Sequence, residues 1–228
     1  MTDDGTRLPL VPLSDVVVFP QTDLQLHVAE PAYQRLVRDL LDAGADEERW
    51  LGLVLLKPEG GLSAAGQPAV FPGGTASRVV EAEILPDGRS NLLLHGEFRF
   101  ELQRELPGTP YREALVRPLA EPELDEQDAG IVAVRRGLVA AVRQLSGELG
   151  DRFTLAESAV EELDDGLFEE LVNRIAVRLD LPPLRKLQLL VESLPDRALS
   201  LLAILGSRQK VVDLLRPYRH LAGTSQLN

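Results

Sequence analysis

Apolar residues come in short runs through the first half of the chain and recur at helical spacing through the second. Residues 8–11 and 16–19 are two brief apolar stretches, each closed by a proline, Pro12 and Pro20. They predict two strands, because a proline cannot donate to a ladder and ends the pairing. Residues 24–28 alternate, with Leu24, Leu26 and Val28 set against Gln25 and His27, the pattern of a half-buried strand. Pro31 then opens a predicted helix, where its missing N–H costs nothing. That helix buries Tyr33, Leu36, Val37, Leu40 and Leu41 on one face and stops at Gly44. Residues 50–56 are nearly all apolar, as in a strand covered on both faces.

Residues 57–74 are rich in Gly and Pro and read as a long loop, with Val70 and Phe71 as apolar residues inside it. They either tuck onto the β-domain or offer an exposed apolar contact to a partner. Residues 75–85 read as a strand with Ala76, Val80, Ala82 and Ile84 on one face. Pro86, Asp87, Gly88 and Arg89 form a turn: proline fixes φ, Asp bonds its own backbone, and Gly supplies a positive φ. Two further strands are expected at residues 91–95 and 97–103, the second with Phe98, Phe100 and Leu102 inward and Glu97, Arg99, Glu101 and Gln103 outward. A last strand is expected near residues 111–119.

At Pro118 the period changes. An acidic stretch, residues 120–129, leads into a helix carrying Ile131, Val134, Leu138, Val142 and Leu145. A short helix over 154–163 is expected next, then one with Phe168, Leu171, Val172, Ile175 and Leu179, broken at Pro182 and Pro183. A third major helix carries Leu184, Leu187, Leu190, Val191 and Leu194 and ends near Pro195. A fourth carries Leu201, Leu205, Val212 and Leu215 and ends at Pro217, leaving a tail from Tyr218 expected to be poorly ordered. The chain thus divides into a β-rich part, residues 1–119, and a helical part, residues 120–228.

Three blocks carry a family resemblance. The first is Leu8, Pro9, Leu10, Pro12, Leu13, Val16, Val17, Phe19, Pro20, then Leu24, Leu26, Val28, Glu30 and Tyr33. The second is Gly74-Thr75-Ala76, the run from Leu85 to Arg89, and Gly96, Arg99 and Phe100. The third is Ile175, Leu179, Leu181, Lys186, Leu187, Gln188, Leu190, Leu194 and the leucine-rich stretch 201–205. Together they resemble the substrate-binding N-terminal domain of Lon-type proteases over residues 8–216, nearly the whole chain. The resemblance implies an α+β fold: a PUA-like twisted β pseudo-barrel followed by an α-helical bundle. Alternation alone would give a β-rich domain with one or two helices.

Composition narrows the chemistry. The sequence has no cysteine, which excludes disulfides, thiolate catalysis and Cys-based zinc sites. A net charge of −12 opposes sequence-independent nucleic-acid binding, which draws its affinity from Lys and Arg on phosphates. No apolar run approaches the roughly 20 residues that span a bilayer. The polar, acidic first residues are no signal peptide, so a cytoplasmic setting without membrane contact is expected. His27, His95 and His220 are scattered, and no metal site or cofactor is expected. His27, beside apolar neighbours, reads as structural. No phosphate loop ending in Gly-Lys-Ser/Thr occurs, and none of Lys57, Lys186 and Lys210 lies in a Ser–Lys peptidase context. The acidic runs single out no carboxylate pair for acid–base work.

No catalytic residue is therefore assigned. The resemblance implies a non-enzymatic polypeptide-binding protein, stand-alone or a fragment, that recognises unfolded or partner polypeptides and acts as a substrate-recognition module or adaptor. A Lon-type protease is an expected partner and a homodimer is compatible with the apolar helix faces. The rival is RNA binding, which other PUA-like folds perform. Val70, Phe71, Arg89 and Arg99 are the candidate substrate-binding residues.

Overall fold

The computed structural model describes residues 5–42, 49–58, 61–63, 66–108, 110–150, 153 and 166–216. The described strands are β1 (Thr6–Leu13), β2 (Asp23–Val28), β3 (Trp50–Leu56), β4 (Val70–Ile84), β5 (Ser90–Leu106) and β6 (Glu113–Pro118). The described helices are α1 (Pro31–Asp42), α2 (Ala129–Leu149), α3 (Phe168–Arg178), α4 (Pro183–Val191) and α5 (Leu194–Leu215). The chain forms two units, one of Met1–Glu121 with Leu181–Glu192 and one of Pro122–Asp180 with Ser193–Asn228. This differs from a single cut at residues 119 and 120: α4 comes from the helical half of the sequence yet packs with the strands.

In the first unit the strand order is β2-β5-β4-β3-β1-β6, and β6 also pairs with β5. Five strands thereby close into a ring, and β2 is added on the outside of β5. Only β1 and β3 run parallel; the other pairs are antiparallel. Closure depends on the length of β5. Its first part, Ser90 to His95, pairs with β2, and its second, Phe100 to Leu106, pairs with β6. The two strands expected at 91–95 and 97–103 are thus one strand. Gly96 does not break it, because it stays paired with Ser77 of β4.

The glycine at 96 is required by a close approach. A Cβ there would lie 2.3 Å from the Phe19 carbonyl oxygen. The stretch 16–19, expected as a strand, joins no ladder, yet Val17, Val18 and Phe19 are buried. Side chains hold it instead: Thr75 Oγ1 donates to the Val18 carbonyl at 2.6 Å and Thr22 Oγ1 to the Phe19 carbonyl at 2.7 Å. Gly74 meets a similar constraint inside the barrel, where a Cβ would lie 2.6 Å from Phe100 Cζ. Phe100 is fully buried and packs with Leu8, Leu10, Val54 and Val116. On the other side, Leu36 and Val37 of α1 cover Leu51, Leu53, Leu92 and Leu94.

β4 begins at Val70, so the expected loop 57–74 gives up its last residues to the sheet. The face read as Ala76, Val80, Ala82 and Ile84 is also not continuous. The register of β4 against β5 shifts between Val79 and Glu81, which turns Val79 toward the core and leaves Val80 and Ile84 exposed.

In the second unit, Asp128 caps α2 by accepting from the Gly130 N–H at 2.8 Å. The interior is lined by Leu138, Val142 and Leu145 of α2, Phe168, Leu171 and Ile175 of α3, and Leu201 and Leu205 of α5. Arg197, fully buried, donates to Asn173 Oδ1. Pro195 does not end the third expected helix. It sits in the first turn of α5, which Ser193 caps, so Leu194 begins that helix. The expected stop at Gly44, the short helix over 154–163 and the tail from 218 lie outside the described residues.

Gly96→Ala should destabilise the first unit by about 1–3 kcal/mol, the usual cost of forcing extra atoms into a packed site. Urea unfolding followed by the fluorescence of Trp50, a residue of this unit, measures it, and an unchanged midpoint would remove the close approach as the reason for the glycine.

Candidate functional site

Described residues of the first unit line a broad concave surface and a smaller one. The first is a saddle of about 610 Å³ across β2, β5 and β4. It is lined by Gln25, His27, Glu81, Glu83, Asn91 and Leu93 with flanking residues of the same strands. Its side chains follow the register, with His27 beside Asn91 beside Glu83; further along the same strands, outside the saddle's lining, Asp23 lies beside His95 and His95 beside Arg78. His27 Nδ1 lies 2.9 Å from Asn91 Oδ1, and Asn91 Nδ2 donates to Glu83 at 3.0 Å. His95 Nδ1 lies 2.6 Å from Asp23 Oδ1. The saddle is thus a hydrogen-bonded polar face with carboxylates along one side. The outer edge of β2 beside it is unpaired among the described residues.

The second is a smaller hollow of about 290 Å³. Pro12, Leu56, Pro68 and Pro110 supply apolar wall, and Tyr33, Tyr111, Glu30 and Arg112 supply polar groups. Burial, then the Glu30 carboxylate, pushes the Tyr33 phenol up to about 12, with Arg112 pulling the other way. Burial also raises Tyr111, whose phenol is hydrogen-bonded to Asp39. Arg112 is buried and donates to the Pro68 carbonyl at 2.7 Å and to Glu105 at 3.1 Å.

The four residues singled out from sequence are not gathered at one place. Val70 pairs with Leu56 and packs against the barrel core. Phe71 is half-buried, with Lys57 Nζ 5.5 Å from its ring centroid. Arg89 sits at the opposite end of β4, on the turn leading into β5. It is exposed, pairs with Asp87 at 2.6 Å, and brings Nη1 to 3.5 Å from His27 Nε2. The Arg89 backbone N–H and then its side chain hold the Asp87 carboxyl below the ordinary range.

Arg99, expected to face outward, is only 4 % exposed, because α4 covers that face of β5 and β4. Its guanidinium donates to the Leu190 carbonyl at 2.8 Å and the Glu192 carbonyl at 2.7 Å, and lies 2.7 Å from Glu121 Oε1. A cation on the last carbonyls of a helix suits its dipole. Arg99 therefore positions α4. The hollow was not singled out from the sequence. Its signal was present in Glu30 and Tyr33 at the start of α1, but Pro110, Tyr111 and Arg112 carry no spacing that ties them to it.

A barrel closed by one shared strand and covered by a helix from later in the sequence, with a separate helical unit, defines an α+β fold. The chain belongs to the family of the ATP-dependent protease La (LON) substrate-binding domain, whose model matches residues 7–206. It is 26 % identical over 191 residues to a Lon protease of Rhizobium meliloti, covering 82 % of this chain and 22 % of that protein. It is 24 % identical over 208 residues to a Lon protease of Flavobacterium johnsoniae, covering 91 % and 25 %. The chain thus spans about a quarter of the length of these relatives. Among solved structures, the Lon N-terminal domain protein from Xanthomonas campestris superposes with a TM-score of 0.58 at 26 % identity, covering 87 % of this chain and 98 % of that one. The N-terminal domain of Mycobacterium avium complex Lon protease gives a TM-score of 0.62 at 17 % identity, covering 88 % and 98 %, a likeness of fold.

Two outcomes follow. Arg99→Met should cost the first unit about 3–5 kcal/mol, the range for removing one partner of a buried ion pair, and expose the backbone near residues 121 and 192 to protease. Equal cleavage of variant and parent would contradict the positioning role. Because the folded-state value of Tyr33 is raised, its contribution to stability is intact below the ordinary phenol range. It is lost as pH climbs from there toward 12. A phenolate absorbance titration should show a late component that is missing in Tyr33→Phe, and ionisation near pH 10 would contradict the buried setting.

Proposed function

We propose that this chain is a non-enzymatic recognition module that binds exposed segments of unfolded or partner polypeptides. The observation that carries this reading is its membership of the substrate-binding family over residues 7–206. The proteolysis of the full-length relatives is not assigned to it, since it spans about a quarter of them. No helix among the described residues is long and apolar enough to cross a membrane.

Two features of the first unit support the reading. The unpaired edge of β2 offers main-chain donors and acceptors to an extended peptide, which can add as a further strand. Phe71 is half-buried and Leu62 is 72 % exposed, giving apolar contact at the start of β4 and in the segment before it. Arg89 borders the saddle as a polar contact, while Arg99 acts through α4. The carboxylates of Glu81, Glu83 and Asp87 disfavour a phosphate backbone along the same surface. A Lon-type protease is the partner to which such a module would deliver a client.

The test is fluorescence anisotropy with a chemically denatured, labelled model protein, its native form, and a single-stranded RNA at several salt concentrations. Saturable binding to the denatured form alone is expected, weakened at least threefold by Phe71→Ser. Tight RNA binding that falls steeply with salt would replace this reading with the nucleic-acid one.

A further inference from the structure

The smaller hollow carries a set of unused valences that the family match does not explain. The Arg112 side chain is 2 % exposed, so its guanidinium sits almost wholly inside the protein. Nε and Nη2 are taken by Glu105 and the Pro68 carbonyl. Nη1 has no hydrogen-bond partner among the described residues. Arg112 lines the hollow. A buried donor left unmade is costly unless something bonds it. Across the same hollow, Glu30 is exposed and its carboxylate accepts no hydrogen bond among the described residues. The walls between are Pro12, Leu56, Pro68 and Pro110, with the rings of Tyr33 and Tyr111.

We propose that this hollow is a one-residue anchor for an extended polypeptide. A large apolar side chain fills it, while Arg112 Nη1 donates to a main-chain carbonyl and Glu30 accepts a main-chain N–H. The inference rests on the polypeptide-binding reading and adds the site and the residue class. Size fits it: about 290 Å³ lies at the lower limit of small-molecule sites, room for a side chain rather than a cofactor. Charge selects the kind of residue. Arg112 is already paired with Glu105, so Glu30 leaves the hollow net negative, and Asp39 stands behind Tyr111. A second carboxylate, such as a chain terminus, is repelled, whereas a neutral peptide group is not. The proline and leucine walls disfavour a desolvated lysine or arginine. One free donor opposite one free acceptor is what a peptide unit inside a chain requires.

The experiment uses the full chain and two labelled ten-residue peptides of Ser and Ala, capped at both ends, one with a single central Phe and one with Ala in its place. A third peptide carries Phe at a free C-terminus. The capped Phe peptide should bind at least tenfold more tightly than the Ala peptide and shift the NMR signals of the Tyr33 ring and the Arg112 Nε–H. The free-carboxylate peptide should bind less well, and Glu30→Gln should narrow that difference. Ala32→Trp, at an exposed α1 position bordering the hollow, should erase the Phe preference while leaving thermal unfolding unchanged. Equal binding of the Phe and Ala peptides, or a preference that survives Ala32→Trp, overturns the anchor. If denatured model protein still binds in either of those cases, only the anchor falls and the polypeptide reading stands. If the parent chain binds neither denatured protein nor peptides, both fall.

Discussion

The first unit depends on one strand having three partners. β5 keeps β4 along one edge for most of its length and gives its other edge first to β2 and then to β6. The change of partner falls around Gly96, where the chain passes close to the Phe19 carbonyl and only a bare Cα fits. Short bonds hold the seam: the Gln21 N–H donates to Gly96 O at 2.8 Å, and the Gly96 N–H to Thr22 O at 2.9 Å. A ring of strands has no edge to protect, and β2 lies outside the ring with one edge unpaired among the described residues. The grooves follow from this arrangement, since the saddle lies where β2, β5 and β4 extend past the closed part.

Charge inside the first unit is handled in the same way twice. Arg99 and Arg112 are both buried, and each is held by main-chain carbonyl oxygen together with one glutamate. A buried cation survives only when its donors are met this way. The two differ in what they hold. Arg99 fastens the end of a helix and the segment at Glu121; Arg112 fastens the strand start near Pro68 and lines the smaller hollow.

Period and punctuation made much of this fold legible. β2, α1 and β3 lie close to where alternation, Pro31 and an apolar run put them. The β4–β5 turn follows from Pro86, Asp87 and Gly88, whose φ is +86°. What pattern could not supply is what depends on a distant partner. Arg99 has the spacing of a solvent-facing strand residue, but its environment is set by a helix some ninety positions later. The shift between Val79 and Glu81 is a property of two strands, not of one. The stretch 16–19 is apolar enough for a strand, yet hydroxyls of Thr22 and Thr75 take up two of its carbonyls in place of a ladder. Val70 and Phe71 stood out for being apolar in a Gly- and Pro-rich segment, whereas the hollow is built from five separate parts of the chain, and only Glu30 and Tyr33 leave a local trace.

The interleaving of the two units also sets an order of events during synthesis. The strands are complete once Pro118 has been made, but α4, which lies against Gly73 and over Arg99, is encoded after α2 and α3. Until the ribosome has passed Glu192, the Arg99 guanidinium lacks its two carbonyl acceptors and the strand face that it shares with α4 is bare. The first unit therefore draws its last element from sequence that follows two helices of the second, and its parts are not contiguous along the chain.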